Sequence, residues 1–384
     1  MPELEIQPAR SPADVRTFLE FPWTVYRDDR FWVPPLINER LAFVDPQRNP
    51  FFQHARAEMF LARRRGQPVG TIAAFTNQRY NEFQGTNLGF FGFFEVLEDP
   101  EAAAALLATA ETWARGAGHT AVLGPAQWST NDECGLLIDG FDDRPRILMT
   151  YNPPRYRDYL ESAGYAKAMD LWAYELPLSS YGNRVDGMPP KLLRVADKVL
   201  QSGKFTIRKL NMKDFDNEVD RVKGVYNRSW EKNWGFVPMN DAEFDHLGKS
   251  LRQMVDPDLV VLVEHEGEMA GFGLSLPDLN QPLHRAYPRP GTPEALTMVK
   301  MAWHWKVRPK LDWLRVFALG VLPEFRGQGV DALMYVETAK AAFRKGYKKA
   351  EMSWILENNM MMNRAIQFLG GQVYKTYRFY QKPL

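Results

Sequence analysis

Short alternations of apolar and polar residues dominate the first half of the chain and predict strands. The segment AEMFLARRRGQPVGTIAAFTN, residues 57–77, holds two such runs around the turn residues RGQP and predicts a hairpin. NLGFFGFFEVL, residues 87–97, predicts a third strand. The next segment predicts a helix, because Asp99 can cap it, Pro100 suits its first turn, and Gly116 and Gly118 can end it. A strand over 120–126, a helix and an aromatic strand ending at residue 176 complete the order β, β, β, α, β, α, β.

The second half repeats this order. FTIRKLN (205–211) predicts a strand, and LVVLVEHEGEMAGFGLSL (259–276) predicts two strands around an EG turn. Residues 313–347 predict a hydrophobic strand, a glycine-containing turn and an amphipathic helix that ends at Gly346. KAEMSWIL (349–356), a helix with a glycine stop, and the closing strand QVYKTYRFYQK (372–382) follow. We therefore expect an internal duplication of one α/β unit.

Clusters of Gly, Pro and Ser place the domain limits. Residues 1–54 are rich in aromatics and proline and predict an extension packed on the first domain. Residues 55–176 form the first predicted domain, 177–204 a linker and helix, and 205–384 the second predicted domain.

Composition narrows the classes of function. Forty-eight Lys and Arg against 47 Asp and Glu give a net charge of +1, which argues against a nucleic-acid partner. No run approaches the roughly 20 apolar residues that span a bilayer, so no membrane partner is expected. The single cysteine, Cys134, and an amino terminus without a basic, apolar leader indicate the cytoplasm. The six histidines have no metal-ligand spacing, so no metal is expected.

The segment LGVLPEFRGQGVDALMY, residues 319–335, carries the clearest chemical signal. A strand enters a turn with Gly327 and Gly329, and the turn opens onto a helix beginning near Val330. Several N–H groups and the positive end of the helix dipole can converge there on an anion, and a diphosphate suits such a turn. Arg326 adds a cation beside it. The alternative is a tight strand-to-helix connection with a surface arginine.

The sequence LGVLPEFRGQG, followed by a long helix and a strand, resembles the pyrophosphate loop of the GNAT acyltransferase superfamily. Together with YNRSWEKNWGFVPMNDAEF, residues 226–244, and the terminal YKTYRFY, this loop resembles a bacterial branch with tandem GNAT-like domains. The resemblance implies an α/β fold of tandem GNAT-like domains, each a mixed central sheet with flanking helices. It implies acetyl-CoA or another acyl-CoA as cosubstrate, with pantetheine contacts from the main chain of Leu319, Gly320 and Val321. The remaining implied CoA contacts are Arg326, Gly327, Gln328, Gly329, Val330 and Asn359. Asp331 departs from the family's loop pattern.

Two positions depart from the family's catalytic pattern. In the register set by Asn359, Met362, Leu369 and Gly370, the usual tyrosine acid falls on Ile366 and a glutamate base found in some members falls on Trp354. Tyr380 is then a candidate acid, with cross-strand packing as its alternative role. Glu357 is a candidate base, with a solvated helix-cap carboxylate as the alternative.

The resemblance places the acceptor beside the loop between the first two helices of the second domain, which makes Trp230, Asn233 and Trp234 candidate substrate contacts. Local core packing is the alternative role. The first domain has a glycine-free turn, EVLEDPEAAA, and is expected to bind no CoA. The predicted function is N-acyl transfer, with acetyl favoured, to an amine of a small molecule or peptide. The alternative is a non-catalytic acyl-CoA sensor or interaction protein. The oligomeric state is not predicted.

Overall fold

The computed structural model describes residues 3–308 and 311–384. Its helices are α1 Pro12–Glu20, α2 Pro22–Val25, α3 Ile37–Phe43, α4 Gln78–Gln84, α5 Pro100–Gly116, α6 Arg155–Ser162, α7 Pro190–Gln201, α8 Phe215–Trp230, α9 Asp241–Arg252, α10 Asn280–Ala286, α11 Glu294–Ala302, α12 Val330–Lys345 and α13 Met360–Phe368. Its strands are β1 Leu4–Pro8, β2 Ala57–Arg64, β3 Gln67–Thr76, β4 Leu88–Val96, β5 Ala121–Gly124, β6 Leu136–Asp139, β7 Ala166–Pro177, β8 Thr206–Lys209, β9 Val260–His265, β10 Glu268–Pro277, β11 Trp313–Val321, β12 Lys349–Leu356 and β13 Gln372–Pro383. None of the helices within these residues has the length and apolar character required to cross a bilayer.

Local sequence signals explain several of these boundaries. The Asp99 side chain accepts a hydrogen bond from the Ala102 N–H and caps α5, as predicted, with Pro100 in the first turn. Asn240 and Glu243 form a capping box at the start of α9. The predicted hairpin around RGQP is confirmed, because β2 and β3 pair in antiparallel register.

The chain forms two units. Unit 1 falls within Met1–Leu171, Pro282–Arg308 and Lys375–Leu384, and unit 2 falls within Trp172–Gln281 and Pro309–Tyr374. In unit 1 the strands follow the order β1-β2-β3-β4-β5-β13, and β6 also pairs with β13. The strand β1 lies before residue 54, where the sequence pattern indicates only short helical turns. The first four strands are antiparallel, β4 and β5 are parallel, and α5 packs its alanine- and leucine-rich face against β3 and β4.

Unit 2 has the corresponding order β8-β9-β10-β11-β12-β7. Its first four strands are antiparallel and β11 and β12 are parallel. Helices α7 and α12 bury their apolar faces in one core cluster, and α8 contributes Val225 to a second cluster with Phe272 of β10. Each unit therefore has the predicted mixed sheet with flanking helices.

The last strand of each half of the chain belongs to the other half's sheet. Strand β7 ends the first half of the sequence, yet its residues from Trp172 onward belong to unit 2. Strand β13 ends the second half, yet its residues from Lys375 onward belong to unit 1, where Tyr380 pairs with Gly124 of β5. The limits 55–176 and 205–384 remain predictions from the sequence.

Candidate functional site

A gap opens between β11 and β12 in unit 2. The parallel register runs only from the pair Trp313 and Lys349 to the pair Val316 and Met352, although the strands continue to Val321 and Leu356. A pocket with an empty volume of about 590 Å³, part of it open to solvent, lies where the two strands diverge. Its lining consists of Trp230, Asn233, Val316, Phe317, Ala318, Leu319, Tyr335, Met352, Ser353, Trp354, Ile355, Leu356, Asn359, Met362 and Ile366.

Most of these lining side chains are apolar, and few carry a polar group. Tyr335 on α12 brings a phenol to the wall, and its hydroxyl donates to the Met362 sulfur at 3.4 Å. Burial raises the pKa of Tyr335, and the nearby Asp331 carboxylate raises it further. Tyr335 is therefore protonated near neutral pH and can act as a hydrogen-bond or proton donor.

The main chain of β11 adds directed polar groups. The Leu322 N–H donates to the Ala270 carbonyl at 3.0 Å, so it faces β10. Because successive N–H groups of a strand point to opposite edges, the N–H groups of Val321 and Leu319 point toward the gap. This geometry suits main-chain contacts with an extended ligand, the role predicted for Leu319, Gly320 and Val321.

A buried ionic network holds the two strands where they begin to diverge. Arg315 on β11 donates to the Ser353 hydroxyl at 3.0 Å and lies 3.7 Å from a Glu351 carboxylate oxygen. Ser353 and Tyr374 also donate to Glu351. Arg315 and Glu351 are almost fully buried, and removing either partner would leave an uncompensated charge. The network fixes the inner end of the gap.

The turn after β11 has the backbone conformation that its glycines predict. Gly327 and Gly329 have φ angles of +74° and +83°, a region that side chains with a Cβ rarely adopt. The Arg326 guanidinium donates to the Ser229 carbonyl at 2.7 Å and to the Val321 carbonyl at 3.3 Å. Gln328 donates to the Glu324 carbonyl at 2.9 Å. In this conformation the side chains of Arg326 and Gln328 hydrogen-bond to main-chain carbonyls. The N–H groups of the turn are therefore the groups suited to binding an anion.

The start of α12 differs from the start of its counterpart α5. Gly329 is the N-cap residue of α12, and within the described chain no side chain caps this helix. Helix α5 is capped by Asp99, and Arg64 donates to Asp99 and to Glu101, both at 2.6 Å. Uncapped N–H groups of a long helix attract anions, whereas the α5 terminus already holds its own carboxylate. Of these two helix starts, that of α12 is therefore the one available to a ligand.

In unit 1, side chains fill the space where the corresponding strands, β4 and β5, diverge. Strands β4 and β5 pair only from Leu88 to Phe90, and beyond that point the Ala126 N–H donates to the Phe91 carbonyl at 2.9 Å. The fully buried Trp128 packs there against Phe51, Phe75 and Phe93. This packing favours the prediction that the first copy binds no CoA.

The predicted acceptor residues separate into two groups. Trp230 and Asn233 line the pocket, whereas Trp234 is outside the lining. The Trp230 ring lies over Gly320, since a Cβ built there would approach the ring to 3.0 Å. A side chain at position 320 would therefore displace the indole.

The two predicted catalytic residues lie outside the pocket lining. Tyr380 is buried in the core of unit 1, where its hydroxyl donates to Glu161 at 2.9 Å. This placement favours the packing role for Tyr380. Glu357 follows β12 directly, and its carbonyl accepts from the Asn363 amide at 3.2 Å. Asn359 lines the pocket, and its side chain caps α13 by accepting from the Met362 N–H at 3.2 Å.

The positions Ile366 and Trp354, where the family's tyrosine and glutamate would fall, both line the pocket. The sequence did not identify Tyr335, although the residue lies inside the singled-out segment, four residues after Asp331. Helical spacing places Tyr335 one turn beyond the anion site, and this signal was available from the sequence. No group of three or more His, Cys, Asp or Glu side chains in residues 3–308 and 311–384 is arranged to hold a metal ion.

Comparison with known proteins identifies two relatives over nearly their full lengths. The chain is 35% identical to the bacterial ceramide synthase of Caulobacter vibrioides over 387 aligned residues, covering 100% of this chain and 98% of that protein. It is 33% identical to protein YghO of Escherichia coli, covering 97% and 93% of the two chains. No protein-family model matches the chain.

Solved structures give the fold. A tandem GNAT protein from the clavulanic acid biosynthesis pathway superposes with a TM-score of 0.58 at 14% identity, covering 99% of this chain and 98% of that one. A GCN5-related N-acetyltransferase from Sphaerobacter thermophilus gives a TM-score of 0.50 at 16% identity, covering 99% and 95%. The predicted tandem GNAT fold is confirmed.

Proposed function

We propose that this chain, which belongs to the family represented by bacterial ceramide synthase and YghO and has the GNAT fold, transfers an acyl group from acyl-CoA to an amine. The observation that carries the proposal is the pocket between the diverging ends of β11 and β12. It lies on the strand that leads into the glycine turn and the uncapped start of α12. A thioester tail and a diphosphate can therefore bind along one continuous segment.

In this proposal the turn and the pocket bind different parts of acyl-CoA. The N–H groups at Gly329, Val330 and the first turn of α12 suit the diphosphate, because the helix dipole adds to them. The N–H group of Val321, which lies nearer the turn, suits a pantetheine amide. The thioester would then lie among the side chains that line the gap.

The reaction follows from this placement. The acceptor amine attacks the thioester carbonyl carbon, a C–N bond forms, and the C–S bond breaks. The Leu319 N–H, which lies deeper in the gap than that of Val321, stabilises the negative charge that develops on the carbonyl oxygen. Tyr335 gives its phenolic proton to the departing CoA sulfur, and solvent takes the proton lost by the amine and returns one to Tyr335.

The acyl chain and the acceptor are proposed to be long. A ceramide is a fatty acyl amide of a long-chain amino alcohol, and the Caulobacter relative is named for making one. Apolar side chains such as Phe317, Leu319, Ile355 and Met362 line the pocket and suit methylene groups. A long acyl-CoA thus replaces acetyl-CoA as the preferred donor, and a lipid amine replaces a soluble amine or peptide.

A two-by-two assay tests the proposal. The full chain is incubated with palmitoyl-CoA or acetyl-CoA and with sphinganine or 2-amino-1,3-propanediol, which has the same head group without the tail. Release of CoA thiol gives the rate, and mass spectrometry identifies the amide. We expect the highest kcat/KM for the pair with two long chains. Tight palmitoyl-CoA binding without thiol release from any pair would overturn the proposal and favour the acyl-CoA sensor.

Asn233 provides a test of the acceptor side. The residue lines the pocket next to Trp230, and an amide can hydrogen-bond the amine or hydroxyl of the acceptor. Asn233→Ala should raise KM for sphinganine about two- to tenfold, because a lost hydrogen bond costs about 0.5–1.5 kcal/mol. The dissociation constant of palmitoyl-CoA should not change. Asn217→Ala, on α8 but outside the pocket lining, is the matched control; equal effects of both variants would contradict an acceptor role.

A further inference from the structure

Helix α11 and the π-helical turn Trp303–Val307 that continues it carry an exposed apolar face in unit 1. Leu296, Val299, Trp303 and Val307 are 49%, 67%, 53% and 57% exposed. Their spacing of three, four and four residues places them on one side of the helix. Thr297 is the buried residue of α11, whereas Met298, outside this row, is 42% exposed. Soluble surfaces seldom carry four large apolar side chains in a row, so this face is suited to a partner.

Cations border this apolar face. Lys300 and Lys306 lie on its two flanks at helical spacing, and both are exposed. The acid of the segment, Glu294, is partly buried, and its carboxylate accepts the Asn38 N–H at 2.9 Å. Residues 282–308 carry five cations against this one acid, while the whole chain has a net charge of +1. The cations are Arg285, Arg289, Lys300, Lys306 and Arg308.

We infer that the segment Glu294–Arg308 docks the protein on an anionic lipid surface, with Leu296, Val299, Trp303 and Val307 entering the interface and Lys300 and Lys306 contacting the head groups. An apolar stripe flanked by lysines, with an exposed tryptophan, is the pattern of helices that lie in the plane of a membrane. Anionic lipid is the occupant that matches the positive flanks. A neutral apolar protein partner leaves the cations unmatched.

This inference departs from the expectation of no membrane partner, which rested on the lack of a spanning segment. An interfacial helix needs only one apolar face. Here the structure identifies that face through the exposure of Val299, Trp303 and Val307. The inference is independent of the proposed function, since vesicle binding is measured without CoA or amine. It would also place the protein where long-chain lipid amines are found.

Vesicle flotation with the full chain is the test. Vesicles of phosphatidylcholine with 30% phosphatidylglycerol are compared with pure phosphatidylcholine at low and high salt. The apolar variant is Val299→Ser with Trp303→Ser, and the charge variant is Lys300→Glu with Lys306→Glu. The control variant is Leu200→Ser with Phe368→Ser, which removes two exposed apolar side chains from α7 and α13. Thermal melts establish that each variant is folded.

We expect wild type and control to float with the anionic vesicles and the two α11 variants to lose at least tenfold in partition. Salt should weaken binding of the wild type, because the lysine contacts are exposed. Wild type that stays unbound, or α11 variants that float as well as wild type, would overturn the inference. Light scattering distinguishes the remaining occupant: a wild-type dimer that the apolar variant converts to monomer, without vesicle binding, would assign the face to a second copy of the chain.

Discussion

Tyr335 is the residue on which the chemistry of the proposed pocket depends most. Its hydroxyl is the phenol of the lining, and burial raises its pKa, so the residue keeps its proton at the pH at which thiolate leaves. Burial disfavours the charged form of this phenol. We therefore expect Tyr335 to donate its proton only when a thiolate develops beside it. This requirement ties its function to the position of the donor sulfur in the gap.

Tyr335→Phe should lower kcat with palmitoyl-CoA by about 100-fold or more, in the range found for general acids, while the dissociation constant of palmitoyl-CoA changes little. Thiol-release kinetics and calorimetry measure the two quantities. Tyr347→Phe removes a buried phenol from the same unit, outside the pocket lining, and should leave kcat unchanged. If kcat survives in Tyr335→Phe, the proton comes from another group.

Glu95 links the stability of unit 1 to pH. Its carboxylate accepts from the hydroxyls of Tyr26 and Tyr156 at 2.9 Å, and burial raises its pKa from 4.5 to about 8. Between these two values the unfolded chain has lost the proton while the folded chain keeps it. Rising pH therefore reduces the free energy of unfolding across this window, and above pH 8 the loss is complete.

Glu95→Gln keeps a carbonyl acceptor and stays neutral. The free energy of unfolding of this variant should therefore not fall with pH through ionisation at this position. The Tm of the variant minus that of wild type should increase from pH 5 to pH 8.5, as measured by thermal melts in matched buffers. Glu98→Gln is the control, because the Glu98 side chain is 86% exposed. A Tm difference for Glu95→Gln that is constant over this range would show that the carboxyl ionises normally.

At the scale of elements, the strand, turn and helix from Trp313 to Lys345 were predictable because their signals are local. A hydrophobic run, glycines at positive φ and a glycine stop lie within about thirty consecutive residues and require no knowledge of distant contacts. The packing of α7 on this turn was not predictable. A Cβ at Gly329 would lie 2.8 Å from both Val195 and Val199 of α7, which precedes it by about 130 residues.

This packing separates two glycines that look equivalent in the sequence. Gly329→Ala should lower the free energy of unfolding by about 2–5 kcal/mol, because the overlap of the new methyl group with α7 costs about 1–3 kcal/mol and the strained φ angle adds about 1–2 kcal/mol. Gly327→Ala meets no atom within 4 Å and should cost only about 1–2 kcal/mol from its backbone angle. Urea unfolding gives both values.

Adding Val195→Ala should restore part of the stability of Gly329→Ala and none of Gly327→Ala. Because the sequence pattern assigns Gly329 to the diphosphate, a bulky residue there is also predicted to weaken acyl-CoA binding at least tenfold. Gly327→Ala distinguishes the two effects, since it changes the turn without contacting α7. Loss of stability in Gly329→Ala that Val195→Ala and Val199→Ala both leave untouched would place the strain in the backbone alone.

At the scale of the whole molecule, the exchange of closing strands is the feature that local patterns cannot give. The sequence correctly predicts both strands, but the choice of sheet depends on pairing between residues far apart in the chain, such as Tyr380 and Gly124. The same exchange explains why Tyr380, predicted to serve the CoA-binding copy, lies in the core of unit 1. Local patterns place Asn233 and Asn359 on elements beside the pocket, whereas the position of Tyr380 depends on the exchanged strand.

The exchange also predicts how fragments behave. A fragment of residues 190–384 lacks Trp172–Pro177 of β7, the neighbour of β12, and retains Lys375–Pro383 of β13 without β5. Strand edges without partners lose hydrogen bonds and invite aggregation. This fragment should therefore melt below the full chain, and a fragment of residues 172–384, which restores β7 beside β12, should melt between them. Thermal melts and limited proteolysis at equal concentration measure the order. A 190–384 fragment with the Tm and turnover of the full chain would mean that the second half completes its own sheet without β7.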